Sequence, residues 1–267
     1  MIIVGERING NTKRVREAII GRNAEFIAEQ AKLQVEAGAD YVDANAGTEP
    51  EREAEDMVWL VETVQAAVEK PVCIDSASVA VLEAGLGVHR GQALVNSVSA
   101  EAGRLGPVLG LVGKHGARVV GLTLDDSGLP KTAEQRVALA RTLGEAAKAA
   151  GVAPGDLFID PLARAVGLEN DQGAAFLDAV AGIREALPEA HVICGLSNVS
   201  FQMPARRLLN RTFLAMAIAK GLDAAILDPL DGGLMAVVCA GDALLGRDEM
   251  CLGFIRAHRQ GSLAEWN

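Results

Sequence analysis

The sequence predicts one (β/α)8 barrel spanning residues 1–267, and three observations predict it. Short apolar runs alternate with longer amphipathic stretches along nearly the whole chain. Several runs are rich in Val and Ile and are apolar on both faces, as a buried parallel strand requires. Eight of them recur about every 32 residues, the length of one strand–helix unit, with no proline- or serine-rich linker between them. A chain of 267 residues is also of the size at which such barrels fold as one unit. A doubly wound sheet, which usually has fewer strands, fits less well.

The runs are residues 2–4, 41–42, 72–74, 93–95, 119–124, 157–159, 192–196 and 224–227. Their ends are set at Glu6, Asp43, Asp75, Asn96, Thr123, Asp160, Asn198 and Asp228. Helices are expected between them where apolar residues fall three and four apart. Residues 51–68 carry such a stripe in Met57, Leu60, Val61 and Val64, and residues 132–149 carry Val137, Leu139, Ala140 and Leu143. A third helix is expected at residues 206–220. Gly38, Gly116 and Gly221 each precede a strand by a few residues, where a left-handed helix end favours glycine.

Composition removes several classes of function. The formal charge is −10, from 25 Lys+Arg against 35 Asp+Glu, the opposite of a phosphate-tracking surface. Aromatics make up 3%, too few for base-stacking platforms, so nucleic acid is not expected as a partner. Cys73, Cys194, Cys239 and Cys251 form no C-x-x-C pair, which argues against zinc. Cys73 and Cys194 lie in apolar runs and read as small buried hydrophobes. No metal bound directly by the chain is expected. The first residues lack the pattern of a signal peptide, and no stretch approaches 18 uncharged apolar residues. No membrane span and a cytoplasmic location are therefore expected. His89, His115, His191 and His258 are assigned to helices or helix ends as surface residues, which leaves no histidine for a Ser-His-Asp triad. G-x-S-x-G, the phosphate-loop motif and G-x-G-x-x-G are absent.

What ends the apolar runs is more informative. Strand carboxyl ends in a barrel converge on one mouth. Asp43, Asn45, Asp75, Asn96, Asp160 and Asn198 should therefore face one another, with Ser76, Ser97 and Ser197 beside them. Any one of these could instead cap the helix that follows; Thr132, Asp156 and Asp171 read as caps only. Asp160 precedes Pro161, which favours an extended residue over a helix cap. A ring of carboxylates and carboxamides suits a flat heterocycle bearing several N–H groups. A pterin presents its 2-amino group and N3–H side by side to one carboxylate. A hard metal ion is the alternative ligand, although its carboxylates usually cluster more closely.

Motifs match in order along the chain: Gly5-Glu6-Arg7-Ile8-Asn9, Asp75-Ser76, Asn96-Ser97, Ile159-Asp160-Pro161, Gly195-Leu196-Ser197-Asn198-Val199-Ser200 and Asn210-Arg211-Thr212-Phe213-Leu214-Ala215-Met216. With them the chain resembles the methyltetrahydrofolate:corrinoid protein methyltransferases of the pterin-binding, dihydropteroate-synthase-like superfamily, from about residue 2 to about residue 255. The resemblance implies a barrel, usually a homodimer, that moves a methyl group between N5 of tetrahydrofolate and the cobalt of a corrinoid (cobalamin) on a partner protein. It implies that Asp75, Asn96 and Asp160 hold the pterin, that Ser197 and Asn198 adjoin it, and that Asn198 stands near N5. Gln202 and Arg206 would lie near the methyl group and the folate tail. Glu6, Asn9, Asp43 and Asn45 are further candidates at the mouth. Because a tertiary amine leaves poorly, the Asn198 carboxamide oxygen would stabilise protonated N5 in the transition state.

Asp125-Asp126 and the pair Phe201 and Pro204 depart from this family's pattern, in loops that would meet the folate tail or the corrinoid partner. The direction of transfer and the corrinoid protein are left open. A dihydropteroate synthase is the nearest alternative, but its N-x-T-P-D-S-F and S-T-R-P loops are missing. A non-catalytic pterin or cobamide carrier and a metal-dependent barrel aldolase or hydrolase are the others. The cobalamin-binding D-x-H-x-x-G signature is absent, so the corrinoid is expected on a second protein.

Overall fold

The computed structural model describes residues 1–263; residues 264–267 of the expected 1–267 domain lie outside the described residues. In chain order the elements are β1 (Ile2–Asn9), α1 (Lys13–Ile20), α2 (Ala24–Glu36), β2 (Tyr41–Asn45), α3 (Glu53–Ala67), β3 (Val72–Asp75), α4 (Val79–Val88), β4 (Leu94–Ser99) and α5 (Ala102–His115). They continue with β5 (Arg118–Leu122), α6 (Ala133–Ala149), β6 (Leu157–Asp160), α7 (Gln172–Ala186), β7 (His191–Val192), α8 (Arg206–Lys220), β8 (Ala224–Leu227), α9 (Gly232–Leu244) and α10 (Leu252–Arg259). The eight strands form one sheet in the order β7-β6-β5-β4-β3-β2-β1-β8, with parallel neighbours throughout. Backbone bonds from Ile226 N to Cys194 O (2.9 Å) and from Asp223 N to Val192 O (3.2 Å) join the two ends. The expected (β/α)8 barrel is the fold.

The strands are apolar on both faces for two separate reasons. Alternate residues such as Val42, Ala44, Ile74, Val95, Val119, Ile159 and Val192 point outward into the large core beneath the helices. Their neighbours Val4, Tyr41, Cys73, Leu94, Val120, Phe158, Ile193 and Ala224 point inward and fill the lumen as a second cluster. Each large side chain so buried stabilises the fold by about 1.5–3 kcal/mol. The same alternation, carried one or two pleats further, decides which polar residues face the lumen at its mouth.

The helices follow their stripes. Met57, Leu60, Val61 and Val64 are all buried on α3. On α6, Thr132 and Gln135 form a reciprocal capping box, as the cap reading expects. Val137 and Leu139 are only half-buried, and Arg136 takes the fully buried place, donating to the carbonyl of Pro161 (2.8 Å) and to Gln172 Oε1 (2.8 Å). Gly38, Gly116 and Gly221 have φ of +104°, +60° and +113°, the left-handed ends expected of them.

Several sequence expectations are corrected. β1 runs past Glu6 to Asn9, β4 runs past Asn96 to Ser99, and β5 stops at Leu122 rather than Thr123. β7 ends at Val192, so Asn198 lies on a short 3-10 helix, Leu196–Ser200, and not at a strand end. His191 is not on a helix: it opens β7, stacks on Phe158 with ring centroids 4.6 Å apart, and sits 2.9 Å from Asp223. Asp171 makes no side-chain cap to α7, and Asp156 pairs instead with Arg118 at 2.9 Å.

Candidate active site

The strand register assembles the mouth. Asn9 pairs with Asn45, Asn45 with Asp75, and Asp75 with Asn96, so four polar residues lie in one row across β1 to β4. Across the lumen Asp160 ends β6, in register with Leu122. Glu6 enters from β1, and Asp228 follows the end of β8. Asn45 Nδ2 donates to Asp75 Oδ2 at 2.9 Å. Asn45 Oδ1 is buried with no hydrogen-bond partner. Asp43 lies one pleat deeper, 2% exposed and in register with Cys73, and its Oδ1 is likewise without a partner. Buried acceptors left open in this way are costly unless something arrives to donate to them.

Burial dominates the electrostatics. It raises the Asp43 carboxyl well above its ordinary value, and the nearby charge of Asp75 adds to this. The Cys73 thiol and the Asn96 side chain hydrogen-bond to Asp43 and partly offset the effect. Asp75 is also raised by burial, against the Asn45 bond and the charge of Arg104. Burial pushes Asp160 up to about 6, although it accepts from the backbone N–H groups of Leu162, at 2.7 Å, and of Gly195. Glu6 rises to about 7 through burial and the charge of Asp228, while Ser197 Oγ donates to it at 3.4 Å. The mouth thus holds carboxyls that exchange protons near neutrality.

Ser197 and Asn198 reach the mouth on the 3-10 helix. A Cβ at Gly195 would stand 3.0 Å from Asn198 Nδ2, so a side chain there would displace the carboxamide. Asn198 is exposed, so its carboxamide is presented at the opening and not sealed beneath it. Arg206, at the start of α8, donates to Ser197 O (2.9 Å) and Ser200 Oγ (3.1 Å) and so braces the turn from behind. Gln202 is exposed, with φ +60°.

Two clefts open from the ring. One, of about 570 Å³, runs from Asp75, Ser76 and Ser97 to Glu101, Arg104 and Asp126. The other, of about 680 Å³, contains Glu6, Asn9 and Ser197 and leads out over α1 and α2. The structure therefore brings Glu6, Asn9, Asp43, Asn45, Asp75, Asn96, Asp160 and Ser197 to the mouth, with Asn198 at its rim. Gln202 and Arg206 line neither cleft.

The sequence reading missed two cations. Arg104 on α5 donates to the carbonyls of Ser76 (2.9 Å), Ser97 (3.1 Å) and Ala77, tying the segment after β3 to β4. Arg7 meets Asp228 at 2.7 Å and Gln30 at 3.2 Å. Nothing in the sequence around Arg104 separates it from a solvated arginine, whereas Arg7 lies within the Gly5–Asn9 motif. Among the described residues, no group of three or more His, Cys, Asp or Glu is arranged to hold a metal ion.

Comparison with known proteins places the chain in a family. The family described as pterin binding enzyme matches residues 5–228. The chain is 40% identical over 265 residues to the methylcorrinoid:tetrahydrofolate methyltransferase of Eubacterium limosum, covering 98% of each. It is 32% identical over 239 residues to the methionine synthase of Mycobacterium tuberculosis, covering 85% of this chain and 20% of that one. Among solved structures, a Yersinia pestis dihydropteroate synthase with a pterine-sulfa conjugate superposes with a TM-score of 0.71 at 15% identity, covering 92% of this chain and 93% of that one. That last likeness is one of fold.

Proposed function

This chain belongs to the family of pterin-binding enzymes, and from that premise we propose that it is a methyltransferase acting between a methylcorrinoid and tetrahydrofolate. The observation that carries the proposal is the 40% identity, over 98% of both chains, to a methylcorrinoid:tetrahydrofolate methyltransferase. That relative's name places the methyl group on the corrinoid at the start and on tetrahydrofolate at the end, and we adopt the same direction. The corrinoid supplies the methyl group when a partner protein brings it to the mouth. A homodimer is part of the same reading, supported by the apolar side chains of Leu208, Leu244 and Leu252 that α8, α9 and α10 leave 67%, 86% and 58% exposed.

Each residue of the mouth has work suited to its chemistry. Asp75 and Asp160 are acceptors for the N–H groups along the pterin edge. Asn45 and Asn96, each both donor and acceptor, match the adjoining ring nitrogens and carbonyl. Burial supports this role, since a buried carboxylate bonds strongly to a donor that removes its isolation. Asn198 stands where the ring opens to solvent. There its carboxamide oxygen accepts from N5–H, holding N5 oriented while the N5 lone pair forms the new bond to the methyl carbon, the electron pair of the methyl–cobalt bond stays with the corrinoid, and the N5 proton leaves to water. Ser197 and Arg206 hold the turn that carries Asn198. No helix among the described residues is long and apolar enough to cross a membrane.

Titration with tetrahydrofolate, followed by single-turnover methyl transfer, tests the reading. Asn198→Ala should slow transfer by roughly 10²-fold while changing folate affinity only a few-fold. Transfer at the wild-type rate would remove Asn198 from the mechanism. Failure of the wild-type protein to bind tetrahydrofolate would remove the proposal.

A further inference from the structure

Arg136, on α6, is completely buried. A charge in that position ordinarily meets an opposite charge. Asp56, equally buried on α3, meets Arg22 at 2.8 Å and Arg52 at 2.7 Å. Arg136 has no ion pair among the described residues, and its donors go to neutral oxygens. Nε donates to the carbonyl of Pro161 at 2.8 Å, and one terminal nitrogen donates to Gln172 Oε1 at 2.8 Å. The other points at the carbonyl of Lys131, at 3.5 Å, which Gln172 Nε2 also bonds at 3.3 Å. These acceptors satisfy its N–H groups and leave its charge uncompensated.

The peptide that Arg136 holds is the one that holds Asp160. The carbonyl of Pro161 and the N–H of Leu162 belong to one planar unit. Arg136 donates to its oxygen, and its N–H donates to Asp160 Oδ1 at 2.7 Å. Fixing the oxygen therefore aims the N–H. Leu162 has φ +64°, a left-handed conformation that leucine disfavours, so the unit needs an outside tie to keep this orientation. A cation at the oxygen also polarises the peptide and strengthens its N–H as a donor. We propose that Arg136 is a positioning residue of the mouth: through the Pro161–Leu162 peptide it orients Asp160, and its charge favours the carboxylate that a pterin N–H group requires. The ligand in this inference rests on the folate reading; the effect on Asp160 rests on the geometry. The charge of Arg136 opposes the burial of Asp160. The other ionisable neighbours do not repeat its work. Cys194 lies beside Asp160, and Glu6, Asp43 and Asp75 stand on β1, β2 and β3. On β5, Thr123 is the adjoining polar residue and bonds the Asp160 carbonyl at 3.1 Å. Asp171, Arg164 and Glu169 face Arg136 from the segment before α7, the last two paired with each other at 3.1 Å.

Carboxyl-carbon NMR of aspartate-labelled protein, with the Asp160 signal assigned by Asp160→Asn, follows this titration in the wild type and three variants. The wild type should titrate near 6. Arg136→Met, which removes the charge and its bonds, should raise the midpoint by about one pH unit. Gln172→Glu leaves Arg136 in place but sets a carboxylate against it, and should raise the midpoint by about half as much. It decides alone if Arg136→Met does not fold. Arg136→Lys keeps the charge and should hold the midpoint closer to wild type than Arg136→Met does. Tetrahydrofolate affinity should follow the same midpoints, so that at about pH 6 Arg136→Met binds about fivefold more weakly than wild type. An unmoved midpoint with weaker binding at every pH would make Arg136 purely structural and overturn the proposal. So would a lysine that restores nothing that methionine removed. If the wild type binds no tetrahydrofolate, the folate reading falls, and the NMR midpoints still decide whether Arg136 governs Asp160.

Discussion

The two ends of the barrel lumen use the same kinds of side chain to opposite effect. At the amino-terminal end, Asp223 accepts from the backbone of Val192 at 2.8 Å and lies 2.8 Å from Arg184 and 2.9 Å from His191. Burial there raises its carboxyl, but these partners outweigh burial and hold it below the usual range. Arg118 pairs with Asp156 and with the Tyr41 hydroxyl at the same end. At the carboxyl-terminal mouth, burial prevails over the few partners of Glu6, Asp43, Asp75 and Asp160, and all four are raised. A closed polar network stabilises a fold, whereas an open one is a binding site awaiting its donors.

The largest test of this contrast is the pH dependence of unliganded stability. Glu6 and Asp160 have folded values of about 7 and about 6, above their ordinary 4.5 and 3.8. Groups raised in this way contribute stability that is present below the unfolded value and lost as pH rises through the folded value. Denaturant unfolding should therefore show stability falling by on the order of 5 kcal/mol between pH 4 and pH 8. The fall should shrink when tetrahydrofolate is bound. A flat profile would mean that the mouth is as well satisfied as the base.

Next in size is Asp223→Asn at the base, which leaves Arg184 and His191 without their carboxylate. It should lower stability by about 2 kcal/mol in the same unfolding assay. Methyl-transfer rate and folate affinity should not change. Any loss of activity at wild-type stability would show that the ends are coupled.

The smallest effect is the most diagnostic. Asp160→Asn removes a buried charge whose backbone N–H partners and the charge of Arg136 do not offset its burial. At pH 8 it should raise the stability of the unliganded protein by about 1 kcal/mol while weakening folate binding at least tenfold. Melting curves and titration on one preparation measure both. A variant that loses stability and affinity together would place Asp160 in the framework of the barrel.

Most of the mouth was legible because the chemistry of a barrel site sits where strands end. Asp75 and Asp160 close apolar runs, and Asn45 and Asn96 fall within the same pleats, so run boundaries alone located them. Other features were hidden for physical reasons. Inward and outward strand positions are both apolar, so the split between lumen and outer core left no trace in the pattern. Residues 192–196 read as a strand, but only His191–Val192 are paired in one; the chain then turns into the 3-10 helix that carries Asn198. His191 follows Pro188-Glu189-Ala190, which reads as the end of a helix. Arg104 and Arg136 have the spacing of solvated arginines, and only the fold turns them toward carbonyl oxygens.

The brevity of β7 has a consequence for how this molecule can move. Asp75, Asn96 and Asp160 are anchored in the strand ladder, and displacing them means breaking the barrel. Asn198 is held by a single turn, by Gly195 behind it and by Arg206 donating to Ser197 and Ser200. Releasing that turn breaks these bonds, worth about 1 kcal/mol each, and also exposes the buried side chains of Leu196 and Val199. The two halves of the site are therefore anchored differently, one by strand pairing and the other by side chains packed into the core. One grips the substrate ring from the strand ladder, and the other presents Asn198 from a turn pinned by Leu196 and Val199 in the core.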